Sequence, residues 1–180
     1  MIVPLGERRN PVDIIQATEI ALARDPPRRL AVALHEAGHV LYARRAGAIE
    51  IVYHGPLEYP GRPDDLGEAG VQPVFPYTGA HIPLLAMARW FSAGSVVKRV
   101  LAPSFWEDGE DGTDWDVFVE YANKLLAASC PANEQLRQYW VQAQQDVERD
   151  LRSPAFRREM WALAREVEKK IPWCSTTPTA

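Results

Sequence analysis

The spacing of apolar positions divides the chain into helical stretches with one short β-like interruption. Residues 11–24 carry Ile14, Ile15, Ala17, Thr18 and Leu22 on or near one face, which predicts a first helix ending at Pro26-Pro27. Residues 28–46 predict a second helix rich in Ala and Leu, with Gly47 as its C-terminal glycine, a residue that adopts the left-handed conformation cheaply. Residues 49–54 read as a strand. A loop follows, marked by Pro56, Pro60, Gly61, Pro63 and Gly67, and residues 69–75 read as a second strand antiparallel to the first.

Thr78 is the expected cap of a third helix running from Ile82 to Leu101, with Pro83 in its first turn. An acidic loop is expected over 103–112. Thr113 then caps a fourth helix over 114–128. Pro131 opens a fifth helix to Leu151, with Leu136, Trp140, Ala143, Val147 and Leu151 near helical spacing. Ser153-Pro154 opens a sixth, with Phe156, Met160, Leu163, Val167 and Ile171 on one stripe, and Pro172 stops it. The aromatic stripes of these last two helices are core positions. The expected class is mainly α with a small antiparallel β element (α+β), as one domain over 1–172 with a disordered tail at 173–180.

Composition narrows the partners. A chain of 180 residues suits one domain and needs no cofactor merely to fold. A net charge of −4 argues against nucleic acid and anionic membranes, both of which reward a basic face. Cys130 and Cys174 form neither a CxxC pair nor a disulfide framework, so one buried thiol, one near a loose tail and a reducing compartment are expected. No signal peptide and no run of about 18 apolar residues is present, so a cytoplasmic protein without a membrane span is expected. The sequence leaves homo-oligomerisation open.

Residues 35–39 read His-Glu-Ala-Gly-His, the HExxH pattern, inside a segment of helical propensity. Residues four apart on a helix are neighbours, roughly 5–6 Å between Cβ atoms. Two imidazoles so placed reach one metal at Zn–N distances of about 2.0–2.1 Å. Zinc makes a bound water far more acidic, toward a pKa of about 7. Glu36 follows the first ligand directly, so it can take that proton and pass it to a leaving amine. Gly38 costs about 1 kcal/mol against alanine in a helix interior, a sign that another backbone or a substrate approaches there. The competing reading is an ordinary solvated helix face. Against it, the flanks are apolar and two of only four histidines stand here.

With these residues in view, the chain resembles the peptidase domain of the FtsH family of zinc proteases. The LHEAGHVLYARRAG segment is similar to that family's zinc helix. Residues 91–97 (FSAGSVV) are similar to its second helical signature, and residues 112–118 (GTDWDVF) to its glycine-containing loop before an aspartate-initiated helix. The resemblance spans roughly residues 10–150 and implies an aspartate as third zinc ligand. Asp114 leads a face bearing Phe118, Tyr121, Ala122 and Leu125, whereas Asp116 shares a face with Glu120 and Asn123 and can close a capping box with Thr113. Asp114 is therefore the expected ligand and Asp116 the runner-up. Both also fit simple stabilisation by a helix dipole.

No GxxxxGK[ST] loop is present, so the implied protein is a stand-alone, ATP-independent peptidase acting on peptides or unfolded protein. Ile51, Val52 and Tyr53 are candidate substrate-binding residues if the sheet edge accepts a peptide as an added strand. Glu107, Asp108, Glu110 and Asp111 read as a solvated acidic loop, and His54 and His81 as structural or exposed residues. Two alternatives stay open: a zinc-stabilised scaffold or regulatory module without catalysis, and hydrolysis of a non-peptide amide. Three protein ligands leave a position for water, whereas structural zinc usually takes four.

Overall fold

The computed structural model describes residues 28–54, 70–76, 82–106, 109, 111–126 and 130–172. Among them are five α-helices and one two-stranded antiparallel sheet, an α+β class with helices dominant. The elements are α1 (Arg28–Arg45), β1 (Glu50–His54), β2 (Gly70–Val74), α2 (Leu84–Leu101), α3 (Asp111–Leu126), α4 (Asn133–Asp150) and α5 (Pro154–Lys170). The expected helix at 11–24, Thr78, His81 and the tail lie outside the described residues. No helix among those described is long and apolar enough to cross a membrane.

Helices α1 and α2 form the central pair. From Leu30 to Ala43, α1 has no exposed residue, and α2 buries Met87, Ala88 and every residue from Trp90 to Val97. A helix apolar on all sides must be covered on all sides. Helix α4 packs on α2, α5 packs on α1, and α3 lies against α2. The stripes on α4 and α5 face this pair: Leu136, Trp140, Ala143, Val147, Phe156, Met160, Leu163, Val167 and Ile171 are all buried.

The termini follow local chemistry. Gly47 has φ +99°, its N–H donates to Arg44 O at 3.0 Å, and Ala48 N–H donates to Ala43 O at 2.9 Å. These are the two bonds of a Schellman motif, and they turn the chain directly into β1. Val52 pairs with Gln72 and Ile51 with Pro73. Proline cannot donate to a ladder, which suits β2 to a sheet edge. Ser153 caps α5 by accepting from Phe156 N–H at 3.4 Å, with Pro154 at the first helical position.

Four local expectations are corrected. Pro83 precedes α2 at its N-cap, extended at φ −57°, ψ 139°, instead of sitting in the first turn. Residues 103–105 form a short 3-10 turn within the expected loop. Helix α3 starts at Asp111, three residues before the expected start. Gly109, at φ +96°, turns the chain, and Gly112 N–H already donates to Gly109 O at 2.9 Å. Thr113 therefore lies inside the first turn and cannot cap it. Cys130 is half-buried, not buried.

A charged seam joins α1, α2 and α4. Arg89 Nε donates to Asp146 Oδ2 at 2.9 Å, Arg149 donates to its other oxygen at 2.6 Å, and Tyr42 donates to Asp150 at 2.6 Å. Burial disfavours the Asp146 carboxylate, but the two guanidiniums outweigh it and hold its pKa below the ordinary 3.8. A depressed carboxyl contributes stability that is full above the unfolded value and fades as pH falls through the folded one. Asp146→Asn should therefore cost about 1–3 kcal/mol at neutral pH. That deficit should shrink below pH 3.8 in urea titrations run across pH.

Candidate metal centre

Histidines 35 and 39 stand one turn apart on α1, and their rings meet edge-on with centroids 4.7 Å apart. Their Nε2 atoms are 2.9 Å from each other. Asp114, in the first turn of α3, completes a triangle: Oδ1 lies 3.5 Å from His39 Nε2 and Oδ2 3.7 Å from His35 Nε2. His35, His39 and Asp114 are the one group of three potential metal ligands among the described residues. Asp116 points to solvent, as the face bearing Glu120 and Asn123 does. His54 is exposed at the end of β1, and Glu107, Asp108, Glu110 and the Asp111 side chain lie outside the described set.

Two glycines make this geometry accessible. A Cβ on Gly38 would lie 2.6 Å from Ala93 O and 2.9 Å from Gly94 N, so α1 and α2 touch backbone to backbone at that point. A Cβ on Gly94 would collide with His39 Nε2 and lie 2.8 Å from His35 Nε2. The space in front of the imidazoles is thus the missing side chain of α2. Aromatic packing fixes the third group. Trp115 packs edge-on against Trp140 at 5.5 Å, Phe118 tilts against Trp140 at 5.5 Å and Phe91 at 6.1 Å, and Tyr121 meets Trp90 at 5.8 Å. These contacts anchor the turns of α3 that follow Asp114.

The surrounding donors and charges are ordered. His39 Nδ1 lies 2.9 Å from the Trp90 carbonyl. A carbonyl only accepts, so Nδ1 carries hydrogen and Nε2 faces the triangle, as metal-ligating histidines are commonly oriented. Burial opposes charge on His39, but the carboxylates of Asp114 and Glu36 and the Trp90 carbonyl outweigh it and raise its pKa. Burial lowers the pKa of His35, against the pull of Asp114 and with the push of His39 and Lys98. Asp114 is held low by both histidines and by Ser95, despite its own burial. The Asp114 carboxylate thus favours positive charge at His39, and a cation binding there would take the place of that charge.

The residues fit a small divalent cation. Asp114 Oδ2 is buried without a hydrogen-bond partner, which is costly for a carboxylate oxygen unless something else satisfies it. Two nitrogens on tetrahedral zinc stand roughly 3.3 Å apart, so the imidazoles need part by only a few tenths of an ångström. Glu36 is 5% exposed beside them. The backbone of Trp90, the bare backbone of Gly94 and the side chains of Ser95 and Lys98 carry no signal of their place here in the sequence. The FSAGSVV segment contains two of them, but nothing in its spacing shows which residue meets the histidines.

No protein-family model, curated protein or solved structure matches the chain.

The two glycines should fail differently on substitution. Gly38→Ala meets rigid backbone and should lower the unfolding midpoint, at a stability cost of about 1–3 kcal/mol. Gly94→Ala meets the ends of movable imidazoles. It should melt near the unaltered protein while the two histidine rings separate, as followed by their imidazole NMR signals.

Proposed function

We propose that the chain is a zinc-dependent hydrolase of peptide bonds, with His35, His39 and Asp114 as metal ligands and Glu36 as general base. The observation that carries the reading is the convergence of two imidazoles and one partnerless carboxylate oxygen from separate helices. Zinc held there would lower the pKa of a water ligand toward about 7 and polarise a carbonyl.

The protein's own residues supply the rest. His39 is oriented by the Trp90 carbonyl, and Asp114 by the packing of α3. Glu36 follows His35 in sequence and is buried beside the same point, so its carboxylate can hold and return a proton without binding the metal. Three protein ligands leave a coordination position for water, which favours catalysis over a purely structural site. The resemblance of the HEAGH helix, the Ala93-Gly94 segment and the Asp114 region to FtsH-type peptidases supports peptide as the substrate class. Under this reading an ATP-independent peptidase acts on peptides or unfolded chains. Val52 is exposed on β1 between half-buried Ile51 and Tyr53, a surface on which an extended substrate could lie.

The competing function is a zinc-stabilised binding module, and Glu36 separates the two. Purified protein should carry one zinc per chain, measured by elemental analysis, and His39→Ala should lose it. Glu36→Gln should retain the zinc and lose about 10²–10⁴-fold in hydrolysis of an unfolded protein substrate. Retained zinc with no hydrolysis by the unaltered protein on any unfolded substrate would favour the binding module.

A further inference from the structure

We propose that the charged seam between α1, α2 and α4 binds a small oxyanion, a carboxylate or phosphate group, in a half-open cavity walled by Arg45, Arg89 and Arg149. The cavity shares no residue with the proposed metal centre, and the inference does not rest on the metal reading. Its volume is about 200 Å³, room for such a group with several waters. The charged residues lining it are these three arginines, one from each helix, with Asp146 and Asp150.

Three cations thus face two anions. Asp146 accepts on Oδ2 from Nε of Arg89 at 2.9 Å and from a second nitrogen of the same guanidinium. Arg149 then adds a second cation to that one carboxylate, donating to Oδ1 at 2.6 Å. Asp150 does not supply the missing countercharge, because it already accepts from Arg45 at 2.8 Å and from the Tyr42 hydroxyl at 2.6 Å. One positive charge of the lining is therefore left over, and a bound oxyanion would neutralise it.

Donors are also in surplus. A guanidinium carries five N–H groups in a planar fork that matches a carboxylate or a phosphate. Arg45 and Arg149 each spend one on these aspartates and Arg89 spends two. Arg45 is held in place before any ligand arrives, its guanidinium carbon 5.0 Å from the ring centroids of both Tyr42 and Phe156. A side chain fixed in this way loses less freedom on binding. Arg149 is 66% exposed, and an exposed pair is weak, so its free edge can turn to a ligand while Arg89 stays on Asp146.

The experiment titrates the intact chain with inorganic phosphate and, separately, with acetate at constant ionic strength. It follows the arginine side-chain N–H signals by NMR, with melting as the check on folding. At least one anion should bind saturably, one per chain, and move the signals of Arg45, Arg89 and Arg149. Tighter phosphate points to a phosphate-bearing ligand and tighter acetate to a carboxylate-bearing one, and either supports the site. Arg149→Gln and Arg45→Gln should each weaken binding by at least about tenfold, the loss expected for a charge-assisted hydrogen bond. Arg165→Gln removes the same charge from an exposed position on α5 and should bind as the unaltered protein does. Absence of saturable binding of either anion overturns the proposal. So does an equal loss in Arg165→Gln, or undiminished binding in a folded Arg149→Gln protein, which tests the site even where Arg45→Gln does not fold.

Discussion

The backbone contact between α1 and α2 at Gly38 and Ala93-Gly94 is the constraint on which the site depends. A side chain at 38 would hold these helices farther apart, and one at 94 would displace the histidine rings. Here their absence does two jobs at one crossing. It lets the two most buried helices pack closely, and it leaves a hollow that the histidine rings enter. The helix at the centre of the core is therefore also the one that carries both histidines.

Burial of polar groups is the cost of that arrangement. His39, Glu36, Ser92 and Ser95 are all buried at or near the crossing. His39 is accounted for by the Trp90 carbonyl and Ser95 by the Ser92 carbonyl, and Glu36 places its charge near His39. A buried carboxylate and two imidazoles sharing a charge are a poor core by packing alone, since an apolar set of equal volume is often as stable or more so. The cation proposed for the site would offset that cost by satisfying the carboxylate and both imidazoles.

Aromatic residues convert this pair into a three-point site. The ring cluster runs from Phe75, after β2, through Trp90 and Phe91 to Tyr121, Phe118, Trp115 and Trp140. It ties the first half of α3 to α2 and α4, so Asp114 is held by the core and not by the loop before it. Trp90 contributes twice, its ring to this cluster and its carbonyl to His39. The same residue therefore links the sheet, the aromatic core and the orientation of a proposed ligand.

Periodicity alone determined the helical character, the β interruption and most buried stripes, because each is a property of neighbours in sequence. The pairing of His35 with His39 was equally legible, since four residues on a helix fix their proximity. Gly47 was legible because a helix C-terminus needs a left-handed residue. The start of α3 was not, because Gly109 turns the chain before Thr113 can cap it, and two plausible starts compete locally. The choice between Asp114 and Asp116 could be argued from helix faces, but their distance to the histidines is set by α2, α4 and the ring cluster, at separations the chain does not encode locally. The role of Gly94 was likewise invisible in sequence. A glycine shows that something approaches closely, and only the folded crossing decides that the something is a pair of imidazoles.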